Sequence, residues 1–571
     1  MSLALKPSPG AAQASRYHVP RAPAPIDLHL DGNEGATPSS ALYAALNAAG
    51  SDAMRRYPDA AALEAAFAAR LGVTPDRVII TAGADETIDR ACRAMLAPGR
   101  NIVLPTPTFE MIARYARLSG GEPRPVAWTG SEWPRAGVLD AIDASTGIVA
   151  IVTPNNPTGA VASLDDVRAV AAAAPHALVM LDHAYIEFAD AAHDLTAAVA
   201  DLPNVLVVRT VSKAWGLAGL RVGYGIGHPE LIAWLRACGA PYPVSGPSLA
   251  LAHAALIDGD ARVAEFVERV RSERAALEAT MTRHGAAVAP SHANFVFARV
   301  PDAVWLRDAM AGFGIGVRAF PGRPELEGAV RLTCPGDPKA FARVRHALDT
   351  ALAPEALLFD VDGVLVDVSS SYRMAIEQTC LAFGVRLAPG EIAALKAAGN
   401  ANNDWDVTRR LLATHGVQAS LEDVTRRFEA LYQGADGVPG LRENEQLRVP
   451  RATLARLAQR LPLGLVTGRP RRDLDTFLDR FELRGLFAAQ VCMEDAPLKP
   501  DPAPVRLALS QLGVSRAWFV GDTPDDARAA RAAGALPLGV LAPGEHDPLP
   551  LHRAGAGRVL TDPNAVETLL P

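Results

Sequence analysis

Two cationic side chains, Lys213 and Arg221, stand among small and hydroxyl residues in the segment 210–224, TVSKAWGLAGLRVGY. The apolar run 205–208 before them predicts a strand that ends in a turn at the lysine. A lysine amine in a partly desolvated turn can form an imine with an aldehyde, and pyridoxal phosphate is the common aldehyde cofactor. The arginine would then hold the cofactor's phosphate. A Ser-Lys pair is also an ordinary turn, so this segment alone leaves both interpretations open.

Two carboxylates, Asp360 and Asp362, follow another apolar run, residues 356–359. Both would project at the carboxyl end of a buried strand, a geometry that suits a divalent cation and a phosphate. A calcium loop of the EF-hand type is the alternative, but its further oxygen ligands and closing glutamate are absent from the sequence. Matching polar groups come later in the chain. Thr467-Gly468 follows one apolar run, Gly521-Asp522 with Asp525-Asp526 follows another, and Lys499-Pro500 begins a helical run.

The elements that would position the first set are strands alternating with helices. This order predicts a mostly parallel sheet, with ligands bound at the carboxyl ends of its strands. Small residues at Gly83-Ala84 would expose backbone N–H groups at a helix N-terminus, which suits a phosphate, although glycine turns are common. Phe109 follows another strand and is either a core ring or a ring that stacks on a flat cofactor. The predicted strands are residues 78–81, 101–104, 148–152, 178–181 and 205–208.

Length and composition indicate an ordinary globular protein of two to four domains. The chain has 571 residues, of which 49% are hydrophobic and 21% charged. Its net charge of −7, without long like-charge blocks, gives no reason to expect nucleic acid or an anionic membrane as partner. Five scattered cysteines without a CxxC pair, and the lack of a long apolar run, predict a cytoplasmic protein.

Residues 15–350 resemble the fold-type I pyridoxal-phosphate aminotransferases, and within them the histidinol-phosphate aminotransferase family. The motifs that carry the resemblance are DGNEG, RYPD, GADE, PTPTF, PNNPTG, SKAWGLAGLR, SHANFVFAR and RLTCPG. The resemblance implies an α/β aminotransferase over residues 1–352. Its large, mostly parallel sheet domain would span about 50–245, and a small α/β domain would comprise 1–49 and 246–352.

The resemblance also implies a role for each matching residue. Lys213 would bind the cofactor's aldehyde and move the proton between the substrate carbon and the cofactor, and Asp182 would keep the pyridine nitrogen protonated. Tyr57 would reach the phosphate of a neighbouring subunit's cofactor, which predicts a homodimer. The remaining cofactor residues would be Asn156 and Tyr185 at the phenolic oxygen, Phe109 on the ring, and Gly83, Ala84, Ser212 and Arg221 at the phosphate.

Arg318 and Arg331 resemble the arginines that receive the acidic end of the substrate, with Asn294 and Tyr17 as further candidates. Asn33 is either part of an exposed turn or part of this pocket. Two departures from the family pattern concern the substrate: Phe109 replaces a common tyrosine, and RLTCPG differs after its threonine. Relatives of the family include other aromatic-amine transaminases and a phosphothreonine decarboxylase, so the acceptor stays open.

Residues 353–571 resemble the haloacid dehalogenase (HAD) superfamily phosphatases, through DxD, Thr-Gly, Lys-Pro and GDxxxD in that order. This implies a Rossmann-like core with a helical cap over about 369–448. Asp360 would attack phosphorus, Asp362 would act as the acid and base, and Thr467 and Lys499 would steady the phosphoryl oxygens. Magnesium would be held by Asp360, the carbonyl of Asp362, Asp522 and Asp526.

The polar loop 399–405, GNANNDW, lies inside this predicted cap. It is either a helix N-cap with a packed tryptophan or a loop that selects the substrate above the phosphate pocket.

The leading hypothesis is a bifunctional enzyme of histidine biosynthesis. One half would transfer an amino group from glutamate to imidazole-acetol phosphate, and the other would hydrolyse the resulting histidinol phosphate. One alternative keeps both enzymes but assigns the phosphatase to phosphoglycolate, another small phosphoester or pyridoxal phosphate. Another treats one half as a regulatory module, which the presence of Lys213, Asp182, Asp360 and Asp362 together disfavours.

Overall fold

The computed structural model describes residues 5–14, 19–399, 401–435 and 437–571. The chain forms two compact units. The first contains Leu30–Ala303 and Arg318–Phe341, together with the described residues before Arg21. The second contains Arg21–His29, Val304–Val317 and Ala342–Pro571. No helix in the described part of the chain is long and apolar enough to cross a membrane.

A seven-stranded sheet forms the centre of the first unit. All neighbouring strands are parallel except Gly223–Ile226, which runs antiparallel to both of its neighbours. The expected mostly parallel sheet is therefore confirmed. In spatial order the strands are Val78–Thr81, Gly223–Ile226, Val205–Thr210, Leu178–Asp182, Thr146–Val152, Asn101–Thr106 and Glu122–Ala127.

Helices between these strands cover the sheet with apolar faces. Ile88, Ile112 and Leu231, from three different helices, join one buried cluster with strand residues such as Met180. Burial of such side chains is the main favourable term in folding, at about 25 cal/mol per Å². The α-helices of this unit are Pro9–Gln13, Ala41–Ala49, Asp52–Arg55, Ala61–Leu71, Ala84–Met95, Glu110–Leu118, Arg135–Ala141, Leu164–Ala173, Pro229–Ala237, Gly246–Asp258 and Asp260–Arg283.

A smaller antiparallel sheet completes the first unit. Its central strand Ala329–Thr333 pairs with Phe295–Arg299 on one side and with Arg318–Ala319 on the other. The edge strand Ala287–Ala289 pairs with Phe295–Arg299. Arg318 and Arg331 are directly opposite each other in this register, so the sheet places two guanidinium-bearing residues side by side.

A six-stranded parallel sheet forms the centre of the second unit. The spatial order of its strands is Phe487–Val491, Leu463–Val466, Ala356–Phe359, Ala517–Gly521, Leu536–Val540 and Arg558–Leu560. Alternation of strand and helix places both faces under helices, as parallel sheets require. From residue 451 onward, the α-helices of this unit are Arg451–Arg460, Arg471–Arg480, Ala503–Leu512, Pro524–Ala533, Leu549–Ala554 and Val566–Leu569.

A helical insertion follows the strand Ala356–Phe359, which is the first strand of this sheet in chain order. Two short antiparallel strands, Val366–Asp367 and Gln446–Leu447, pair where the chain enters and leaves it. This position and content agree with the expected helical cap. Its α-helices are Tyr372–Ala382, Glu391–Ala398, Asp404–Thr414 and Leu421–Gln433.

The second unit also includes segments that precede residue 353. Trp518, in the central part of the sheet, is fully buried and its Nε1 donates to the carbonyl of Thr350 at 2.7 Å. Its ring packs edge-on against Trp305, with centroids 5.0 Å apart. Trp305 and Thr350 belong to the helices Ala303–Gly312 and Pro338–Leu352. Assays of the phosphatase half are therefore best done on the full chain, which keeps these contacts.

Candidate active sites

Lys213 lies just after the strand Val205–Thr210, at the carboxyl edge of the seven-stranded sheet. Its Nζ donates to the carbonyl of Gly32 at 2.9 Å and lies 5.5 Å from the centroid of the Tyr185 ring. Residues 32–35 therefore cover the lysine. A Cβ at Gly35 would lie 1.9 Å from the Lys213 carbonyl oxygen, so this close approach requires glycine.

Asp182 is the last residue of the central strand Leu178–Asp182 and is 3% exposed. Its Oδ1 accepts a hydrogen bond from the Ala184 N–H at 3.0 Å. Burial raises the pKa of Asp182 to about 7, although the Ala184 hydrogen bond and the Lys213 charge act in the opposite direction. A buried carboxylate with so little compensation is suited to a cationic ring nitrogen.

A phosphate-sized group would find donors at Gly83 and Arg221. Gly83 has a φ of +81° and caps the helix Ala84–Met95, whose first N–H groups are unpaired within the helix. A Cβ at Gly83 would lie 2.6 Å from Nη2 of Arg221, so the guanidinium lies against the glycine turn. Arg221 also pairs with Asp85 at 3.2 Å.

Asn33 is buried, which disfavours the exposed-turn alternative. Its Nδ2 donates to the Tyr185 hydroxyl at 3.0 Å, and its Oδ1 accepts from the Thr333 hydroxyl at 2.7 Å. The fully buried Asn294 donates to the Asn33 carbonyl at 3.3 Å, and its Oδ1 has no hydrogen-bond partner among the described residues. These contacts fix the tyrosine and leave one acceptor available to a ligand.

The two arginines of the small sheet reach the same region. Arg331 donates to Oδ1 of Asn156 and to the carbonyl of Asp31, both at 2.6 Å. Arg318 is 7% exposed and approaches Glu110 at 3.4 Å. Its Nη1 is buried and has no hydrogen-bond partner among the described residues. A buried guanidinium with an unused donor is suited to an anionic group of a substrate.

The remaining residues predicted for this site differ in burial and in their contacts. Ser212 is buried and accepts from the Thr210 hydroxyl at 2.8 Å. The Phe109 ring packs against the buried cluster under the sheet, which agrees with the core alternative. Tyr57 is 82% exposed and stacks on Tyr242 with centroids 4.7 Å apart. Tyr17 lies outside the described residues.

These groups fit pyridoxal phosphate. The amine of Lys213 suits its aldehyde, Asp182 suits its ring nitrogen, and the Gly83 turn with Arg221 suits its phosphate. Asn156 bonds to Arg331, which bonds to the carbonyl of Asp31, and Tyr185 bonds to Asn33. Both side chains are therefore linked to the segment 31–33, and they suit the phenolic oxygen. The fit rests on the buried, weakly compensated Asp182 carboxylate and on the positive-φ turn at Gly83, against which the Arg221 guanidinium lies.

Replacing Asp182 by asparagine is expected to stabilise the cofactor-free protein, and to do so more at pH 8 than at pH 5. The folded-state pKa of about 7 lies above the ordinary value of 3.8, so the stability that this carboxyl contributes is lost progressively as the pH rises from 3.8 to about 7. Asparagine keeps the acceptor for Ala184 and avoids the buried charge, a difference on the order of a few kcal/mol at pH 8. The check is thermal unfolding of both proteins from pH 5 to pH 8, following the transition that pyridoxal phosphate shifts. A pH-independent difference would contradict it.

The second site lies at the carboxyl edge of the six-stranded sheet. Asp360 follows the strand Ala356–Phe359 and is 5% exposed. Nζ of Lys499 lies 3.1 Å from Oδ2 of Asp360 and 2.5 Å from Oδ1 of Asp526. Asp526 also accepts from the Thr523 N–H and hydroxyl, which caps the helix Pro524–Ala533. One ammonium therefore lies between two buried carboxylates.

This site carries more negative than positive charge. Burial raises the pKa of Asp360 well above its usual value, and the nearby Asp526, Asp522 and Asp362 add to the shift against Lys499. Burial and Asp526 raise the pKa of Asp522 to about 7. Oxygens of Asp360, Asp522 and Asp526 all lie within 4.8 Å of one another. Hard oxygen donors in a shared pocket, with unfavourable like charges, fit a divalent cation such as Mg²⁺.

The Asp362 carboxylate has a different partner from these three. Its Oδ1 accepts from Nε and Nη2 of Arg469, at 2.9 and 2.6 Å. Thr467 is 4% exposed, and its hydroxyl accepts from the Arg469 N–H at 3.2 Å. The Asp362 carboxylate is therefore bound to Arg469 and is not part of the cluster formed by Asp360, Asp522 and Asp526.

The loop before the helix Asp404–Thr414 carries features of both interpretations made from the sequence. Asn403 caps that helix by accepting from the Trp405 and Asp406 N–H groups. Asn402 reaches the site, because its Nδ2 donates to the Lys499 carbonyl at 2.9 Å and to Asp525 at 3.0 Å. A cavity lies between this loop and the carboxylates, lined by Asp360, Asp362, Ser369, Arg373, Lys396, Asn402, Asp404 and Asp522, among others.

Sequence reasoning did not identify Thr333, Arg469 or Glu445 as site residues. Thr333 lies within the RLTCPG motif, and Arg469 directly follows the Thr-Gly pair. Thr333 could have been found within its motif, and Arg469 by extending the Thr-Gly pair by one residue. Glu445 has no local signal, because its role depends on the return of the chain from the helical insertion.

The two sites and their sheets define a two-part enzyme, with a lysine-centred transferase in the first unit and a carboxylate-centred hydrolase in the second. Residues 27–348 match the family aminotransferase class I and II, and residues 354–534 match the haloacid dehalogenase-like hydrolases. The chain belongs to the aminotransferase class I and II family and carries a HAD-like hydrolase domain. Both resemblances and the fold class expected from the sequence are confirmed.

Known proteins resemble the chain in different parts. A histidinol-phosphate aminotransferase of Stenotrophomonas maltophilia is 38% identical over 339 residues, which cover 57% of this chain and 91% of the relative. An imidazoleglycerol-phosphate dehydratase of Phytophthora nicotianae is 45% identical over 227 residues; the match covers 38% of this chain and half of the relative's length. The structure of histidinol-phosphate aminotransferase from Sinorhizobium meliloti in complex with pyridoxal-5'-phosphate is 26% identical, with a TM-score of 0.51 over 57% of this chain and 90% of that one.

Proposed function

We propose that the chain is a bifunctional enzyme that makes histidinol phosphate by amino transfer from glutamate and then hydrolyses it. The observation that carries the first half is the pair Arg318 and Arg331, buried beside the network around Lys213. Two buried guanidinium groups favour a substrate with a dianionic end, such as imidazole-acetol phosphate. The similarity to histidinol-phosphate aminotransferases supports the same substrate.

In the amino-transfer site, the roles follow from position. Pyridoxal phosphate, when bound, supplies an electron-withdrawing ring that lowers the cost of negative charge on the substrate carbon. Lys213 would hold the cofactor and move the proton at the carbon that bears the amino group. Asp182, ionised opposite a ring cation, would keep that nitrogen protonated, and Asn33 would fix the Tyr185 hydroxyl.

In the hydrolase site, the proposed reaction is phosphoryl transfer to Asp360 followed by hydrolysis. Asp360 would attack phosphorus while Asp362 gives a proton to the departing alcohol, and Asp362 would then take a proton from the attacking water. Lys499 and Thr467 would bind the phosphoryl oxygens. A divalent cation held by the carboxylate cluster supplies charge neutralisation. The support is the geometry: carboxylate oxygens of Asp360, Asp522 and Asp526 lie within 4.8 Å of one another, and the Lys499 ammonium lies against two of these residues.

We also propose limits for the two enzyme domains and a homodimeric assembly. The aminotransferase would comprise residues 1–352 and the phosphatase 353–571. The exposed, stacked Tyr57 and Tyr242 offer an aromatic surface suited to a second copy of the chain, which supports a homodimer. Residues 369–448 would form the cap of the phosphatase.

The phosphatase substrate is inferred from chemical adjacency, because the proposed product of the first half is a phosphoester. Phosphoglycolate, another small phosphoester and pyridoxal phosphate are the alternatives. The test is kcat/KM of the intact chain, with Mg²⁺, on histidinol phosphate and on each alternative. Preference for histidinol phosphate by about 100-fold, or about 2.7 kcal/mol in transition-state binding, would support the proposal. Equal or better hydrolysis of an alternative would refute the coupled function.

A further inference from the structure

Arg469 is a buried arginine that bridges two carboxylates in the second unit. Its side chain is 1% exposed, that of Glu445 is 3% exposed and that of Asp362 is 25% exposed. Nη2 donates to Oδ1 of Asp362 at 2.6 Å and approaches Oε1 of Glu445 at 3.0 Å. Nε also donates to Oδ1 of Asp362, at 2.9 Å. Both contacts fall on the same oxygen of Asp362, so its Oδ2 takes no part in them.

Two aromatic rings lie close to the guanidinium of Arg469. Its carbon lies 5.1 Å from the Tyr372 ring centroid and 5.2 Å from that of Phe477. The backbone N–H of Arg469 is tied to the Thr467 hydroxyl. Arginine is suited to such a place because its planar fork stacks on aromatic faces while it donates in a fixed geometry. These contacts leave the guanidinium few alternative orientations.

Glu445 connects this arginine to the helical insertion. It directly precedes the strand Gln446–Leu447, which pairs with Val366–Asp367 where the chain enters the insertion. Its Oε1 accepts from the hydroxyls of Ser371 and Tyr432, both at 3.1 Å, and these residues lie at the start of the first and near the end of the last insertion helix. A chain of contacts therefore runs from both ends of the insertion through Glu445 and Arg469 to Asp362.

We propose that Arg469, oriented by Glu445, is a positioning residue that holds Asp362 as the acid and base of phosphate-ester hydrolysis. The inference rests on the phosphatase part of the proposed function. While the bond from an Asp360 oxygen to phosphorus forms and the ester P–O bond breaks, Asp362 Oδ2 passes its proton to the leaving oxygen. Arg469 fixes Oδ1, which sets the direction of Oδ2. Because the guanidinium also pairs with Glu445, its positive charge is partly neutralised by Glu445 and does not act on Asp362 alone.

The test is the dependence of hydrolysis on the leaving group, measured as kcat/KM of the intact chain with Mg²⁺. p-Nitrophenyl phosphate has a leaving group that departs without a proton, whereas phenyl phosphate and histidinol phosphate have leaving groups that need one. Arg469→Lys keeps the charge but loses the fork. We expect it to lower kcat/KM by about 100-fold on histidinol phosphate, less on phenyl phosphate, and by less than about fivefold on p-nitrophenyl phosphate. An equal loss on all three esters would overturn the inference.

A double variant separates positioning from general damage. In the Asp362→Asn background, Arg469→Lys should cause no further loss, because the group it orients is gone; independent losses that multiply would overturn the inference. The matched control is Arg484→Lys, since Arg484 bridges the carboxylates of Asp475 and Asp479 on the surface of the same unit. It should leave the leaving-group dependence unchanged.

Glu445→Gln is the second route if Arg469→Lys does not fold. It keeps the shape of the side chain and retains an acceptor for Ser371 and Tyr432. We expect the losses in kcat/KM to rank the three esters in the same order, with a loss of about 10-fold on histidinol phosphate instead of about 100-fold. Unchanged dependence in this variant would overturn the link through Glu445. If the unaltered chain releases phosphate from none of the esters, the phosphatase assignment itself fails, an outcome distinct from a uniform loss in the variants.

Discussion

Replacing Lys213 by alanine is expected to abolish amino transfer while leaving phosphate release intact. The Lys213 amine is the group suited to the cofactor's aldehyde and to proton movement at the substrate carbon, so its removal should lower kcat by on the order of 10⁴-fold or more. Phosphate release should stay within about twofold, because the variant alters neither Asp360 nor its contacts. The measurements are 2-oxoglutarate formation from glutamate and phosphate release from histidinol phosphate on the same preparation.

The control for this experiment is Lys339→Ala, which removes an exposed lysine of the same chain. It should change neither activity. The variant at Lys213 should also lose the absorbance change that accompanies binding of pyridoxal phosphate to a lysine. Retention of that change, or a parallel fall in both activities, would contradict the assignment of Lys213.

Replacing Asp360 by asparagine is expected to give the opposite result. The amide cannot attack phosphorus as the carboxylate does, so phosphate release should fall by on the order of 10⁴-fold or more. Amino transfer should be unchanged. Lys499 keeps Asp526 as a partner at 2.5 Å, so the buried ammonium is not left without a carboxylate. Asp479→Asn, on an exposed carboxylate of the same unit, is the matched control and should retain both activities.

Removal of divalent cations provides a second check on Asp360. Chelation by EDTA should stop phosphate release from the unaltered chain and leave amino transfer unaffected, and added Mg²⁺ should restore release. Phosphate release that persists in EDTA would contradict the role given to the carboxylate cluster. Phosphate release that persists in the Asp360→Asn variant would indicate that a different residue is the nucleophile.

The positions of the reactive residues could be predicted from sequence because they follow apolar strands. Asp182, Lys213 and Asp360 each stand at or just after the end of such a run, and parallel strands bring their carboxyl ends to one edge. Alternation of strand and helix was sufficient to predict the first sheet, whereas the second sheet was implied by the HAD resemblance. The roles of individual side chains came from the family resemblance rather than from these patterns.

Long-range partners could not be predicted in the same way. Asn33 meets Tyr185 and Thr333 through contacts between distant parts of the chain, and local sequence does not specify which turn folds back over the site. The link from Glu445 to Asp362 likewise depends on how the helical insertion returns to the sheet. Asp362 was a candidate because of its place in the DxD motif, whereas its contact with Arg469 depends on two strands that pair side by side in the sheet.

The second unit also includes segments that precede its first sequence motif. The HAD motifs begin at Asp360, whereas the buried Trp518 hydrogen-bonds Thr350 and packs on Trp305. An indole N–H buried in a sheet needs an acceptor, and here the acceptor comes from the preceding helix. Such contacts follow from packing, which a reading of motifs along the chain does not capture.

The most direct test of the central claim is a single reaction of the intact chain with imidazole-acetol phosphate, glutamate and Mg²⁺. Both products should be followed in time, 2-oxoglutarate for amino transfer and inorganic phosphate for hydrolysis. We predict one histidinol and one phosphate for each 2-oxoglutarate formed. Histidinol phosphate that accumulates without phosphate release, while the chain hydrolyses a different phosphoester, would contradict the claim that the two sites act on one intermediate.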